Sequence, residues 1–193
     1  MSDIRRRVLG FGLIATAALA ACSSPTPTLY TLAPVDGPTL AGGPKTVVLR
    51  AIGLARYLER PQIVRSTGSY LLEMEANDWW GEPLGAMLGR ILTEELAQRL
   101  PGSVVLAESG AIGVTPDAIV EINVLRLDAD RTGVIVLRAQ VGVSHPASRR
   151  PPVARAFEVK ATPASGDTIG AVAAMSEAVG TFADQIAAML VGR

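Results

Sequence analysis

The sequence predicts an α+β domain, a largely antiparallel sheet with two long helices packed on one face. Three observations predict it. Residues 82–100 and 168–191 carry apolar side chains at three- and four-residue spacing. Around them, runs of branched apolar residues alternate with polar ones at a period of two. Neighbouring runs are joined by short turn-forming segments, which favours antiparallel pairing.

In chain order, Tyr30-Thr31-Leu32 begins the first strand, and Pro34 to Pro44, rich in Pro and Gly, is a loop. Thr46 to Ile52 is a strand of branched apolar residues. Ile63 to Ser66 and Tyr70 to Glu75 flank Thr67-Gly68-Ser69, a hairpin signal. In the second arm Tyr70, Leu72 and Met74 alternate with Leu71, Glu73 and Glu75, predicting one buried face and one mostly wet one.

Glu82 to Leu100 is the first long helix, starting between Asp78 and Pro83. Leu84, Leu88, Leu92, Leu96 and Leu100 form its apolar row, flanked by Met87 and Ile91. A second row is small: Gly81, Gly85, Gly89, Thr93 and Ala97. It resembles a membrane helix-dimer motif, but the charges in the segment exclude a bilayer location. It marks either close approach to the protein's own sheet or a homo-oligomer interface. Arg90 with Glu94, and Glu95 with Arg99, are spaced to pair on the outer face.

Pro101-Gly102 stops this helix, and Val104 to Ala107 is a short strand. Ala118 to Asp128 and Thr132 to Ser144 form a long hairpin across residues 129–131. Val120, Ile122 and Val124 share one phase, and Leu125 and Leu127 take the other, which predicts a bulge. Ile135, Leu137, Ala139, Val141 and Val143 share the inner face of the return strand. Arg155 to Ala161 adds a strand with Phe157 and Val159 inward. Thr168 to Val191 is the last helix. Its stripe is Ile169, Val172, Ser176, Val179, Ala183, Ile186 and Leu190, widened by Met175, Phe182 and Met189. A helix this apolar packs broadly on the sheet or is partly covered by a partner.

The N-terminus is organised differently. Arg5, Arg6 and Arg7 precede an uncharged run from Val8 to Ala21, too short to span a bilayer at roughly 20 residues. A basic start, a short apolar run and small residues at the cut describe a secretory signal peptide over residues 1–21. Leu19-Ala20-Ala21-Cys22 resembles a bacterial lipobox. In that class the cysteine thiol receives a diacylglycerol, and the freed amino group receives a third acyl chain. One chain anchors a protein only marginally and two signals anchor it stably, so three hold it firmly. Ser23 in place of Asp after the cysteine implies sorting to the outer membrane, facing the periplasm. A core helix over residues 8–21 with a buried Cys22 is the competing reading, but the basic run and small-residue cut disfavour it. Residues 22–44 then comprise the lipidated cysteine, a tether and a first short strand, and residues 45–193 a single domain. Ser23 to Thr28 is extended, reaching roughly 19 Å at polyproline pitch.

Removing residues 1–21 takes three Arg and one Asp from 18 basic and 18 acidic residues, leaving a net charge of about −2. Nothing in this balance marks a surface for a polyanion such as nucleic acid. Cys22 is the only cysteine, so the domain has no disulfide, cysteine metal site or thiol nucleophile of its own. With 49% hydrophobic residues it can be held by packing alone.

The catalytic inventory is thin. His145 is the sole histidine, at a loop before Pro146, and no nucleophile elbow, phosphate loop, dinucleotide fingerprint or metalloprotease helix occurs. Glu73 and Glu75 share a strand face without forming more than a wet edge. No catalytic or metal residue is assigned, and no cofactor beyond the acyl chains on Cys22. What stands out is Tyr57 to Pro83. Tyr57, Arg60, Pro61 and Gln62 cluster at a strand start, and Trp79, Trp80, Glu82 and Pro83 fall in a loop before the first helix. Trp, Tyr and Arg dominate interface hot spots, though a tryptophan is as often a lid over the core.

These residues carry a resemblance. Tyr57-Leu58-x-Arg60-Pro61-Gln62-Ile63-Val64, then Trp80-Gly81-Glu82-Pro83-Leu84, then Leu92-x-x-Glu95-Leu96 running to Leu100-Pro101 behind a lipobox resembles the ABC-type transport auxiliary lipoprotein family, in its PqiC-like form. The similarity spans nearly all of the mature chain. It departs at Asn77-Asp78-Trp79, where the family more often carries a basic residue before a single tryptophan. The resemblance implies an outer-membrane, non-catalytic component that docks a periplasmic MCE-domain protein and its ABC transporter subunits in intermembrane lipid transport, in some cases as a homo-oligomer. The partner-binding set it implies is Tyr57, Arg60, Pro61, Gln62, Trp79, Trp80, Glu82 and Pro83. An assembly lipoprotein for an outer-membrane barrel or secretin is the principal rival. An envelope hydrolase is a third reading, and direct lipid binding between helix and sheet is compatible with the first.

Overall fold

The computed structural model describes residues 26–108, 110, 112–148 and 151–192. Cys22 and the leader before it lie outside the described residues.

Among the described residues, nine strands form a mixed sheet with two helices on one face, an α+β arrangement. Its axis is β7 (Ala118–Ala129), paired antiparallel with β8 (Ile135–Ser144), which pairs antiparallel with β9 (Val153–Ala161). The other flank of β7 is shared, in parallel, by β2 (Thr46–Leu49), β3 (Gly53–Leu54) and β4 (Gln62–Ser66). β6 (Val104–Ala107) extends the sheet beside β2, and β5 (Leu72–Trp80) pairs antiparallel with β4. β1 (Thr28–Tyr30) lies parallel to β5. The long ladders are antiparallel, and the parallel ones are short.

Local chemistry accounts for the β7–β8 turn. The Asp130 carboxylate accepts the backbone N–H groups of Thr132 and Val134 at 2.8 and 3.2 Å, and Gly133 supplies φ +85°. The expected bulge occurs between Val124 and Arg126. Leu125 is the bulged residue and is exposed, while Val124 and Leu127 both face the core.

Helix α1 (Leu84–Arg99) buries Leu84, Met87, Leu88, Ile91, Leu92 and Leu96, the row its spacing predicts. Helix α2 (Thr168–Leu190) is capped by Asp167, whose carboxylate accepts the Gly170 N–H at 2.9 Å. Ile169, expected in its apolar stripe, is exposed, while its neighbours Gly170 and Val172 are buried and Thr168 bonds Asp78 of β5, so the first turn docks through another face. From Val172 onward α2 is broadly buried against β8, β9 and α1, leaving Ala173, Glu177 and Thr181 as an exposed row, with Phe157 and Phe182 edge to face at 5.8 Å. Among the described residues no helix is long and apolar enough to cross a membrane.

Three further elements differ from expectation. The first strand is Thr28–Tyr30, not Tyr30–Leu32, and Leu32 instead plugs the core. The strand expected over Thr46–Ile52 breaks after Leu49 and resumes as β3. Trp79 and Trp80 end a strand and do not occupy a loop.

The pair Glu95 and Arg99 is the largest correction. Neither lies on an outer face; each is 1% exposed. The loop over residues 31–40 crosses the two helices as a strap, and its backbone has no ladder to satisfy it. Helix side chains do so instead. Val35 N–H donates to Glu95 Oε1 at 2.9 Å, Ala33 N–H to Ser176 Oγ at 3.1 Å, and Gly37 exchanges two bonds with Gln98. Arg99 donates to the carbonyls of Val35 and Gly180. Arg90, expected to meet Glu94, reaches back to Glu82 at 2.6 Å.

Burial raises the Glu95 carboxyl to about 7, against the smaller opposing pull of the Val35 N–H and Arg99. Its second oxygen has no hydrogen-bond partner among the described residues. Because the folded state holds this proton more tightly than the unfolded chain, stability is fully present below about pH 4.5 and declines as pH rises through about 7. Thermal unfolding followed from pH 5 to pH 8 should show a falling midpoint, and Glu95→Gln should flatten that slope. A slope unchanged by the substitution would assign it to other groups.

Candidate functional site

The residues singled out by sequence converge at one end of the β4–β5 hairpin. A short 3-10 turn (Arg56–Glu59) delivers Arg60-Pro61-Gln62 to the start of β4. β5 ends opposite, with Gln62 level with Trp79. Trp80 N–H donates to the Pro61 carbonyl at 2.7 Å, and Gly81 N–H to the Tyr30 carbonyl at 2.8 Å. Two separate sequence clusters are therefore stitched together by main-chain bonds.

Their side chains divide into two groups. Trp80 is 7% exposed and belongs to the core, so it acts as a lid over the helices. Tyr57 is half-buried and turns inward, its hydroxyl donating to Asp128 Oδ2 at 2.6 Å. Burial, reinforced by the Asp128 carboxylate, holds its phenol well above the usual tyrosine range. Glu82 is engaged with Arg90, which also reaches Thr31. Pro83 stands at the N-cap of α1, its carbonyl accepting the Met87 N–H at 3.0 Å.

The other group faces solvent. Arg60 and Pro61 are exposed, and Arg60 makes no ion pair among the described residues. Trp79 is partly exposed, with its indole N–H donated locally to the Ala76 carbonyl at 3.0 Å. Across the three strands Leu29, Trp79 and Gln62 stand side by side, and Leu29 is 63% exposed. The result is a surface with an aromatic, an aliphatic and an unpaired cation.

The glycine row meets the same chain. A Cβ on Gly85 would stand 3.4 Å from the Ile52 carbonyl and 3.5 Å from Leu54, one on Gly89 3.9 Å from Ile52, and one on Gly81 3.4 Å from the Tyr30 carbonyl. The small side chains let α1 approach the β2–β3 connection.

Sequence reasoning missed Asp128. It is 1% exposed on β7 and gathers Tyr57, Ser66 Oγ at 3.0 Å, and the Arg126 guanidinium at 2.9 and 3.0 Å. One signal was available, a charged pair two residues apart in an otherwise apolar strand end. Elsewhere the helix–sheet seam opens into a groove of about 490 Å³, walled by Ile63, Val64, Val134, Ala171 and Met175. The sheet's uncovered face holds a shallow depression of about 700 Å³ between Arg50, Glu121, Gln140 and Arg155. Among the described residues no group of three His, Cys, Asp or Glu side chains is placed to hold a metal ion.

Comparison with known proteins places this geometry. The fold resembles a solved structure of an uncharacterized protein, with TM-score 0.72 and 18% identity over 86% of this chain and 99% of that one. It also resembles a Xanthomonas campestris protein of the DUF330 family, with TM-score 0.69 and 18% identity over 85% of this chain and 95% of that one. At these identities the likeness shows the fold alone. No curated protein matches significantly. The profile of the ABC-type transport auxiliary lipoprotein component matches residues 30–187, from β1 to the last turns of α2, and the chain belongs to that family.

Proposed function

We propose that this protein is the outer-membrane-anchored, non-catalytic member of an MCE-associated ABC system for intermembrane lipid transport. Cys22, acylated with diacylglycerol and a third chain, holds it on the periplasmic side. The Arg60–Trp79 surface docks the periplasmic MCE-domain protein, and ATP hydrolysis belongs to another subunit. Family membership supports the transport role. The observation that carries the docking assignment is the exposed, unpaired Arg60 beside partly exposed Trp79. Neither is used by the core, whereas Trp80 and Tyr57 are.

The test is affinity purification of the full-length lipoprotein from envelopes, with the wild type against Arg60→Ala and Trp79→Ala. The wild type should recover an MCE-domain protein with its transporter. Each variant should reduce that capture by roughly tenfold or more, as hot-spot residues do, while unfolding at nearly the wild-type temperature. Unchanged capture overturns the site, and recovery of a barrel or secretin in place of the MCE protein overturns the function. Truncating Trp80 is a poor probe, since it opens the core.

A further inference from the structure

The closed end of the β4–β5 hairpin is the least covered apolar surface of the domain. Tyr70 is 97% exposed, Leu71 66%, Leu72 51% and Met74 53%. The alternation of this arm predicted a buried face, but here the hairpin projects past the helices and neither face is covered. Ser66 to Leu72 carries no charge. At its base Arg65 pairs with Glu73 and Glu75 at 3.9 and 2.8 Å, which leaves the charged collar with a net charge of about −1. A polar collar below an uncharged aromatic and aliphatic tip suits a membrane–water boundary, where tyrosine is enriched.

Chain direction supplies the occupant. β1 runs parallel to β5, with Thr28 level with Asp78 and Tyr30 level with Trp80. The chain arriving at Thr28 therefore comes from the hairpin-tip end of β5. Thr28 lies six positions after Cys22, and Asp78 six positions after Leu72. At about 3.3 Å per extended residue both intervals are roughly 20 Å, so Cys22 can reach the level of the tip and not far beyond it. Arg60 and Trp79 lie at the opposite end of the same hairpin.

We propose that Tyr70, Leu71, Leu72 and Met74 insert into the interfacial region of the same lipid leaflet that holds the acyl chains of Cys22. The tip is a second membrane contact. It fixes the domain's orientation, with the Arg60–Trp79 surface directed away from the bilayer. The inference rests on the reading of Cys22 as the lipidated residue.

That cysteine is the only one, so a single new thiol can be labelled specifically. Full-length Leu71→Cys and, as a control on the outer face of α1, Ala97→Cys would each carry an environment-sensitive fluorophore. Both are reconstituted into phosphatidylethanolamine–phosphatidylglycerol vesicles containing a lipid-borne quencher, and mass spectrometry reads acylation of Cys22. With Cys22 acylated, the Leu71 probe should shift to the blue and be quenched roughly twofold or more beyond the control, as expected for interfacial depth. An acylated, vesicle-bound protein whose Leu71 probe behaves like the control overturns the tip contact and leaves the anchor standing. A blue-shifted probe that the lipid quencher does not reach assigns the tip to a protein neighbour and also overturns it. An unacylated Cys22 removes the anchor reading, and the proposal with it.

Discussion

Replacing Arg99 by methionine should destabilise the domain by about 3–5 kcal/mol, because it leaves several acceptors unsatisfied at about 1–3 kcal/mol for each one kept from water. The side chain is 1% exposed, pairs with Asp184, and also donates to the carbonyls of Val35, Glu95 and Gly180. It thus joins α1, α2 and the strap over residues 31–40. Methionine fills part of the volume but strands those acceptors away from water. Lysine should rescue poorly, because an ammonium lacks the planar fork that serves several acceptors at once. For a domain of this size the loss corresponds to a fall in Tm of roughly 6–20 °C, measurable by circular dichroism. Gly37→Ala attacks the same site from the other side, since a Cβ there would stand 2.3 Å from an Arg99 nitrogen and 2.4 Å from Asp184. If Arg99→Met shifts the midpoint by only a degree or two, the strap is held by its apolar contacts, Leu32 foremost, and not by this ion pair.

Asp128→Ala should cost roughly 2–4 kcal/mol. The carboxylate binds the 3-10 turn through Tyr57, β4 through Ser66 and its own strand through Arg126. Its removal leaves a half-buried phenol and a partly buried guanidinium without their acceptor. The cost stays below that of Arg99 because Arg99 serves more acceptors, across α1, α2 and the strap, while the Arg126 left behind is 25% exposed and within reach of water. Asp128→Asn keeps the shape and one acceptor oxygen, so it should fall between wild type and alanine in denaturant unfolding. Equal midpoints for all three would show that the turn is held in place by Leu58 and the β3–β7 ladder alone. Because Tyr57 and Gln62 flank Arg60, the alanine variant should also weaken partner capture beyond its effect on stability.

How much of this was legible beforehand depended on the range of the interaction. The leucine row of α1, the stripe of α2 from Val172 onward and the β7–β8 hairpin repeat their signal every two to four residues, and each appears where its pattern places it. The bulge at Leu125 was readable as a change of phase within a single strand. The strap was not, because residues 31–40 have no period and their backbone is satisfied by side chains some 60 to 140 residues away. For the same reason Glu95 and Arg99 read as a surface pair: helical spacing says that they are neighbours, not what covers them.

The site shows the same division. The clusters at Tyr57–Gln62 and Trp79–Pro83 stood out by residue type, but their union depends on the β4–β5 register, which a bulge shifts between Gln62 and Val64. Which tryptophan is a core lid and which is available to a partner follows from the sheet face each occupies at the strand end. By itself the sequence determined the helices, the long antiparallel hairpin and the residues that share a face, because those follow from local geometry and apolar spacing. Only the tertiary structure decided which faces are covered, which charges are buried, and that the apolar hairpin tip stands in solvent. Burial depends on what another part of the chain brings alongside, and no local pattern contains it.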